Sequence, residues 1–165
     1  MKQLIFNGWL CVVSALVLAP AALAQGQRKL GEAASLQAVE IKGDPIPGGK
    51  VTAVIKVQLE KGFHTHSNKP SEPQFIGTVL TVDPAPGVRV GAVGYPAGKS
   101  EKVAGLDKPL SVYQGEFELS VPLGLTAAAK FPLTIPATLR YQACQGAQCY
   151  APQKLKIEIK LESKP

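Results

Sequence analysis

Two cysteines near the C-terminus are the residues whose type and spacing best suit chemistry. Cys144 and Cys149 have four residues between them, and a strand-like run flanks the pair on each side. Only a thiolate attacks a disulfide, so a dithiol that exchanges electrons needs one accessible sulfur and a second within bonding distance. The pair is therefore the first candidate for a redox-active site.

A disulfide between Cys144 and Cys149 is the state expected after oxidation. Closing such a short loop stabilises a fold by roughly 2 kcal/mol, which is at the low end for disulfides. A bridge that served stability alone would do more between distant strands. The spacing thus favours a redox-active dithiol. The alternatives are a purely structural disulfide and a metal site.

The flanking sequence predicts that the cysteines lie at the tip of a β-hairpin. Residues 137–141 end in an alternation of apolar and polar side chains, and residues 155–162 alternate without a break, as half-buried strands do. This alternation places Cys144 on the face opposite the apolar residues of the first run. Cys149 follows Gly146, whose backbone freedom lets the second Cβ approach the first.

The two sulfurs are not expected to be equally accessible. Cys144 ends a strand and is held by its neighbours, whereas Cys149 follows a glycine-containing loop and is followed closely by Pro152. Because proline disfavours continued pairing, we expect Cys149 to be the sulfur that a partner reaches first.

The chain has two histidines, His64 and His66, and their spacing places both on one face of a strand. Three interpretations stay open. With the two cysteines they would complete a tetrahedral zinc or copper site; they could be an ordinary surface or packed pair; or they could line the cysteine pocket and assist proton transfer. We expect no bound metal, because an exported cysteine pair tends to oxidise.

The first 24 residues have the pattern of a secretory signal peptide. A positive charge at Lys2 precedes the apolar run 9–18, and the small-x-small segment 22–24 provides a cleavage site before Gln25. Asn7, Gly8 and Pro20 interrupt this stretch, whereas a membrane anchor needs about 20 apolar residues. Export would remove Cys11 with the leader and leave an even number of cysteines where disulfides persist.

The rest of the chain has the length of one domain, and its turn residues have the spacing of an all-β fold. Residues 25–34 are polar and are expected to be flexible, and residues 35–165 form the domain. The sequence holds 16 glycines and 14 prolines, and they separate seven or more short strands without a helical period. This pattern predicts an immunoglobulin-like β-sandwich.

Individual strands are predicted from their alternation and turn residues. They fall at residues 36–42, 51–59, 75–82, 88–93 and 117–123, and the long segment 95–109 is expected to be irregular.

The charge of the chain does not indicate a nucleic-acid partner. The formal net charge is +6, but the basic residues are scattered and do not form a cluster with interleaved aromatic residues. No later run is apolar enough to span a membrane. The sequence also contains neither a Ser-His-Asp arrangement nor a phosphate-binding glycine loop, so hydrolase and nucleotide-binding functions have no support.

Taken together, the motif segments resemble the N-terminal periplasmic domain of the thiol:disulfide interchange protein DsbD. The cysteine motif at residues 141–152, followed by an alternating last strand, is the most specific part of the resemblance. Residues 62–66, 95–101 and 113–117 support it. The resemblance extends from Leu36 to Leu161.

The resemblance implies an immunoglobulin-like sandwich that passes electrons to oxidised periplasmic proteins by dithiol exchange, as a protein-disulfide reductase component. It implies that Cys149 forms the mixed disulfide and that Cys144 resolves it. No cofactor is expected for this chemistry.

The resemblance also implies a cap over the cysteine pair. Tyr95, Pro96 and Ala97 occupy the place of the family's cap loop, and His64 and His66 correspond to aromatic pocket residues of some members. This exchange of residue type raises the question of whether the pocket chemistry is the same.

The expected partners follow from the same resemblance. The chain contains neither the transmembrane electron carrier nor the thioredoxin-like domain of the larger protein, so we expect a periplasmic monomer that works with thioredoxin-like proteins and a separate membrane electron carrier. The alternatives are a non-catalytic immunoglobulin-like binding module with a structural disulfide and a periplasmic copper or zinc carrier.

Overall fold

A computed structural model describes residues 31–163, and within them every regular element is a β-strand. The predicted signal peptide, residues 1–24, lies outside these residues. Between residues 31 and 163 no helix is long and apolar enough to cross a membrane. The strands are β1 (Ala34–Lys42), β2 (Lys50–Leu59), β3 (His64–His66), β4 (Val79–Val82), β5 (Val88–Val90), β6 (Lys99–Glu101), β7 (Leu110–Gln114), β8 (Glu116–Leu125), β9 (Leu133–Tyr141), β10 (Ala143–Gln145), β11 (Gln148–Cys149) and β12 (Gln153–Leu161).

Two antiparallel sheets enclose the principal core. One has the order β1-β2-β8-β5 and the other the order β12-β9-β4. Along β8 and β9 buried residues alternate with more exposed ones, because successive side chains of a strand point to opposite faces. Buried residues of both sheets, among them Ile55, Leu119, Ile135 and Ile159, form one hydrophobic cluster. The all-β sandwich predicted from the sequence is confirmed.

A third sheet, with the order β11-β10-β3-β7-β6, carries the predicted chemistry. Strand β10 follows β9 with only Gln142 between them. The cysteine-bearing sheet is therefore a direct continuation of a core strand.

The two faces of this third sheet have different environments. Thr65 pairs with both Ala143 and Tyr113, and Tyr113 belongs to the principal core. Cross-strand partners share a face, so this row of residues faces the core. The opposite row, which pairs Cys144 with His64 and His64 with Gln114, forms the second face.

Three of the predicted segments differ from the observed strands. The strand predicted at residues 75–82 begins only at Val79, because the backbone N–H of Thr78 donates to the carbonyl of His66 at 3.2 Å and pairing with β9 starts one residue later. The strand predicted at 88–93 ends at Val90. The segment predicted to be irregular contains β6, a polar strand at the sheet edge that apolar alternation cannot reveal.

The part of the N-terminal segment that the structure describes is anchored. Ala33 is buried, and its carbonyl accepts a hydrogen bond from the backbone N–H of Glu60 at 2.8 Å. The Tyr141 hydroxyl accepts the N–H of Ala34. These contacts hold the chain against the domain from Ala33 onward; residues 25–30 of the segment that was expected to be flexible lie outside the described residues.

Candidate redox site

Cys144 and Cys149 are joined by a disulfide at the tip of a hairpin. They are direct cross-strand partners on β10 and β11, and their Cα atoms are 4.0 Å apart. A two-residue turn that begins with Gly146 connects the strands, and this glycine has a φ of 56°. A positive φ at the first central position is typical of a type II′ hairpin turn, whose twist matches that of the strands.

The pairing pattern explains why a separation of five residues permits the bridge. The N–H of Tyr150 donates to the carbonyl of Ala143 at 2.9 Å, so these two residues form the hydrogen-bonded pair. Hydrogen-bonded and non-hydrogen-bonded pairs alternate along antiparallel strands, and side chains are closer in the latter. Cys144 and Cys149 form the adjacent non-hydrogen-bonded pair, and their sulfurs are brought together by the register itself.

The two sulfurs belong to residues of opposite exposure. Cys144 is 0% exposed, and its strand β10 lies between β3 and β11. Cys149 is exposed on β11, the edge strand of this sheet. A partner protein that approaches from solvent therefore meets Cys149, and Cys144 lies behind it.

The histidines are buried beside this disulfide. His64 and His66 are 2% and 1% exposed, so they are not a surface pair. One ring nitrogen of His66 and the two sulfurs lie within 4.8 Å of one another, whereas His64 is not part of this group. Among the described residues, these three side chains are the only set of His, Cys, Asp or Glu donors close enough to hold a metal ion.

The hydrogen-bonding state of the two imidazoles is unusual for buried polar groups. Neither ring nitrogen of His66 has a partner within residues 31–163, nor does Nε2 of His64. His64 Nδ1 lies 3.5 Å from Glu101 Oε2, which also accepts a hydrogen bond from Gln114 Nε2. Proteins seldom leave buried donors and acceptors unpaired, so the ring nitrogens of His66 are candidates for contact with a proton or a ligand.

Burial determines the charge of both histidines. It lowers the pKa of His64, although the Glu101 carboxylate partly opposes the change. It also lowers the pKa of His66, and the nearby His64 acts in the same direction. Both imidazoles are therefore neutral at neutral pH, and a free nitrogen of His66 can accept a proton.

Phe75 covers the His66 ring. The two rings stack with their centroids 4.3 Å apart at an interplanar angle of 15°. Phe75 also packs against the cluster formed by Val103, Leu110 and Val112. The loop that carries Phe75 thus fixes the plane of His66 and excludes water from one side of it.

The predicted cap segment lies elsewhere. The Tyr95 hydroxyl accepts a hydrogen bond from the N–H of Leu80, and the carbonyl of Pro96 accepts one from the Tyr113 hydroxyl. Tyr113 is on the face that looks toward the principal core, so Tyr95 and Pro96, with Ala97 directly after them, lie across the sheet from the cysteine–histidine face. In this structure the segment therefore contacts the core side of the third sheet.

Three residues of the site were missed by sequence reasoning. Phe75 was placed in a strand, Glu101 in an irregular segment, and Gln114 was noted only as part of a motif. A weak signal existed for Gln114, because it follows a tyrosine and precedes a glycine at the end of a strand. Phe75 reaches the site on a loop and Glu101 on the edge strand β6, and both placements come from tertiary folding that local patterns do not record.

Comparison with known proteins gives one matching family and several solved structures that are similar to this chain. The sequence model of a family described as thiol:disulfide interchange protein DsbD, N-terminal, matches residues 33–161. The N-terminal periplasmic domain of ScsB from Proteus mirabilis is similar with a TM-score of 0.57 at 16% identity, over 80% of this chain and 48% of that one. This chain thus spans about half the length of that structure. No curated protein matches the sequence.

Two structures from Neisseria meningitidis are more distantly similar. The DsbD N-terminal domain in the reduced form has a TM-score of 0.43 at 19% identity, over 76% of this chain and 85% of that one. A complex between the DsbD N-terminal and the PilB N-terminal domains has a TM-score of 0.43 at 17% identity, over 77% and 88%. The family match confirms the immunoglobulin-like form of the sandwich.

The buried histidines predict a loss of stability in mild acid. Their pKa values are lowered in the folded state, so below the unfolded value of about 6.5 the unfolded chain binds more protons. Above that pH, titration of the histidines should not affect the free energy of unfolding. As the pH decreases below it, the free energy of unfolding should fall by at most about 1.4 kcal/mol per pH unit for each histidine. Urea unfolding of the oxidised protein between about pH 7 and pH 5 measures this slope.

The matched control is the double variant His64→Phe/His66→Phe, which keeps every carboxylate, including Glu101. Its stability should depend less on pH over the same interval, because the two titrating groups are gone. Parallel pH profiles for the two proteins would contradict the account of the buried neutral histidines.

Proposed function

The chain belongs to the family of N-terminal domains of the thiol:disulfide interchange protein DsbD, and from this membership we propose that it relays reducing equivalents between proteins through Cys144 and Cys149. One observation carries the assignment of roles: the disulfide joins Cys144, a buried residue, to Cys149, an exposed one. Thiol–disulfide exchange requires an accessible sulfur for attack and a second one to leave. The family implies thiol-disulfide oxidoreductase activity in general; our proposal is that this domain performs it through the Cys144–Cys149 pair.

Reduction of the domain would begin at Cys149. A thiolate of the electron donor attacks Cys149 Sγ, the bond to Cys144 breaks, and Cys144 leaves as a thiolate. The donor's second thiolate then attacks its own sulfur in the mixed disulfide and releases Cys149. Two electrons have moved, the donor holds a disulfide, and the domain holds a dithiol.

Delivery of electrons would follow the reverse order. The Cys149 thiolate attacks the disulfide of the target and forms a mixed disulfide with it. Cys144 then attacks Cys149 Sγ, re-forms the internal disulfide, and releases the target with both of its sulfurs reduced. Cys144 is suited to this second step because it is buried against Cys149 and inaccessible to a competing partner.

We assign His66 to proton transfer at the buried sulfur. Its neutral ring has free nitrogens, one of them within 4.8 Å of both sulfurs. A neutral imidazole can accept the proton of the Cys144 thiol as this sulfur becomes the attacking thiolate, and can return the proton when Cys144 leaves as a thiolate. His64 would act indirectly, since its Nδ1 faces Glu101 instead.

The proposed setting of this exchange is the periplasm, after removal of residues 1–24 as a signal peptide. The partners that fit the chemistry are thioredoxin-like proteins and a membrane electron carrier, each presenting a dithiol or a disulfide. Phe75, stacked on His66, takes the shielding role that the sequence had suggested for Tyr95, Pro96 and Ala97.

The order of attack predicts an asymmetric trap. Cys144→Ala keeps the exposed Cys149 but lacks the resolving sulfur, so it should accumulate a stable mixed disulfide with an oxidised thioredoxin-like protein. Cys149→Ala, which keeps only the buried sulfur, should accumulate little or none. Non-reducing electrophoresis followed by mass spectrometry of the linked peptides measures both yields.

A Cys144→Ala/Cys149→Ala variant is the control for non-covalent association. If Cys149→Ala traps the partner better than Cys144→Ala does, the two roles are reversed. If neither single variant forms an adduct while both remain folded by circular dichroism, the relay function is wrong and a binding module with a structural disulfide is the better description.

The role of His66 predicts a selective kinetic effect. His66→Phe should slow exchange with a small disulfide by about 10-fold, less than the usual 10²- to 10⁴-fold of general acid–base catalysis, because thiols ionise partly without help. His64→Phe is the matched control, since it removes a neighbouring buried imidazole that is outside the sulfur group, and it should slow exchange less. Stopped-flow rates from about pH 6 to pH 8, where histidine titrates, test this; equal rates for both variants and the wild type would remove His66 from the mechanism.

A further inference from the structure

The grouping of His66, Cys144 and Cys149 has a second chemical use once the disulfide is reduced. Two thiolates and an imidazole nitrogen are ligands preferred by thiophilic d¹⁰ metal ions. We propose that the reduced domain binds such an ion, Zn²⁺ or Cu⁺, through these three side chains, whereas the oxidised domain does not. This binding activity does not depend on the relay function, because any reductant that opens the disulfide creates the site.

The state of His66 is the observation that points to a ligand. The residue is 1% exposed, and both of its ring nitrogens lack a hydrogen-bond partner among the described residues. An unsatisfied buried polar group costs about 1–3 kcal/mol. A metal ion bound to one nitrogen would remove part of this cost, and the stacked Phe75 ring, 4.3 Å away, already holds the imidazole plane in place.

The dimensions of the group suit coordination after a small movement. The three donor atoms lie within 4.8 Å of one another, whereas two sulfurs on one tetrahedral zinc ion are about 3.8 Å apart, given Zn–S bonds of about 2.3 Å. Reduction would therefore have to separate the sulfurs from bonding distance. Cys149 can make this movement because it is on a two-residue edge strand next to the Gly146 turn.

The charges favour the same conclusion. Two thiolates and a neutral imidazole carry a charge of −2. Burying such a charge without a counter-ion costs free energy, and Cys144 is buried. A divalent ion neutralises the group, and a monovalent ion neutralises half of it. Since Cys149 is exposed, a fourth position on the ion would open toward solvent, where water completes three-protein-ligand zinc sites.

Reduction and metal binding are linked by a balanced sequence of steps. A dithiol reductant supplies two electrons and two protons, which convert the Cys144–Cys149 disulfide into two thiols, and the reductant becomes a disulfide. The metal ion then displaces both thiol protons as it binds. While it is bound, the Cys149 sulfur is coordinated and no longer free to attack, so the ion and a redox partner compete for the same residue.

The first experiment titrates the tag-free mature protein with Co²⁺, as a spectroscopic substitute for Zn²⁺, under anaerobic conditions after reduction with a phosphine. We expect one ion per chain, intense thiolate-to-cobalt charge-transfer absorption, release of two protons, and displacement of the cobalt by Zn²⁺. A parallel titration with Cu⁺ against a chromogenic chelator tests the second ion. Absence of thiolate coordination with both ions, or equal metal affinity of the oxidised protein, would overturn the proposal.

The second experiment compares His66→Phe with His64→Phe, both reduced. Loss of a ligand should weaken zinc binding by at least about 100-fold, since even the loss of a residue that only supports a ligand costs 10- to 100-fold. His64→Phe should leave the zinc affinity unchanged, because His64 is outside the donor group. Equal zinc affinities of the wild type and His66→Phe would show that His66 is not a ligand and would overturn the three-residue site.

A third readout needs no variant. Zn²⁺ should protect Cys149 of the reduced wild-type protein from alkylation, and a chelator should restore the reaction. If Zn²⁺ does not protect Cys149 while Cys144→Ala still traps a partner, the metal site is wrong and the relay function is unaffected. Protection by Zn²⁺ without any trapping of a partner would support the metal site and contradict the relay function.

Discussion

The register of β10 between its two neighbours is the constraint on which the site depends. On one side it places Cys144 opposite Cys149, and on the other it places Cys144 opposite His64. A shift of one residue would turn every side chain of the strand to the other face, so Ala143 would replace Cys144 and the sulfurs would separate. Cys144 lies on the interior strand β10 and is buried, whereas Cys149 lies on the edge strand β11 and is exposed.

The sandwich holds that register by using the reverse face of the same strands. Ala143, Thr65 and Tyr113 form a buried row behind the cysteine–histidine row, and the Tyr113 ring stacks on Phe117 of the core strand β8 at 4.9 Å. The Tyr113 hydroxyl lies 2.8 Å from Asn68 Oδ1 and 3.1 Å from the carbonyl of Pro96. The loops on that side are thereby attached to the sheet, and the reactive face is left to Phe75, Glu101 and the two histidines.

The neutral, unpaired state of His66 connects the two activities considered for the site. During thiol–disulfide exchange it is proposed to take up the proton of Cys144 and to return it. In the reduced domain its nitrogen becomes one of three donors for a metal ion. Both uses follow from the position of one buried imidazole beside two sulfurs, and both depend on the stacking of Phe75, which orients that ring.

Local patterns were sufficient to predict the sandwich and the cysteine hairpin. Unbroken alternation along residues 155–162 and the turn at Gly146 specify strands and their reversal, and the i, i+2 spacing of His64 and His66 specifies a shared face. The burial of these histidines depends on Phe75 and on β6, whose polar sequence at a sheet edge carries no periodic signal. Tyr95 and Pro96 contact Leu80 and Tyr113 on the core side of the third sheet, a placement that depends on tertiary contacts and that the local motif does not specify.

The central claim is that the Cys144–Cys149 disulfide is a carrier of electrons and not a structural bridge. Its reduction potential tests this most directly, by equilibrating the mature protein with glutathione or dithiothreitol buffers and quantifying the two redox forms by alkylation and mass spectrometry. A relay predicts a potential well above about −300 mV, so that the dithiol and the disulfide interconvert with ordinary redox partners. A potential below about −300 mV, the range of structural disulfides in exported proteins, would contradict the account.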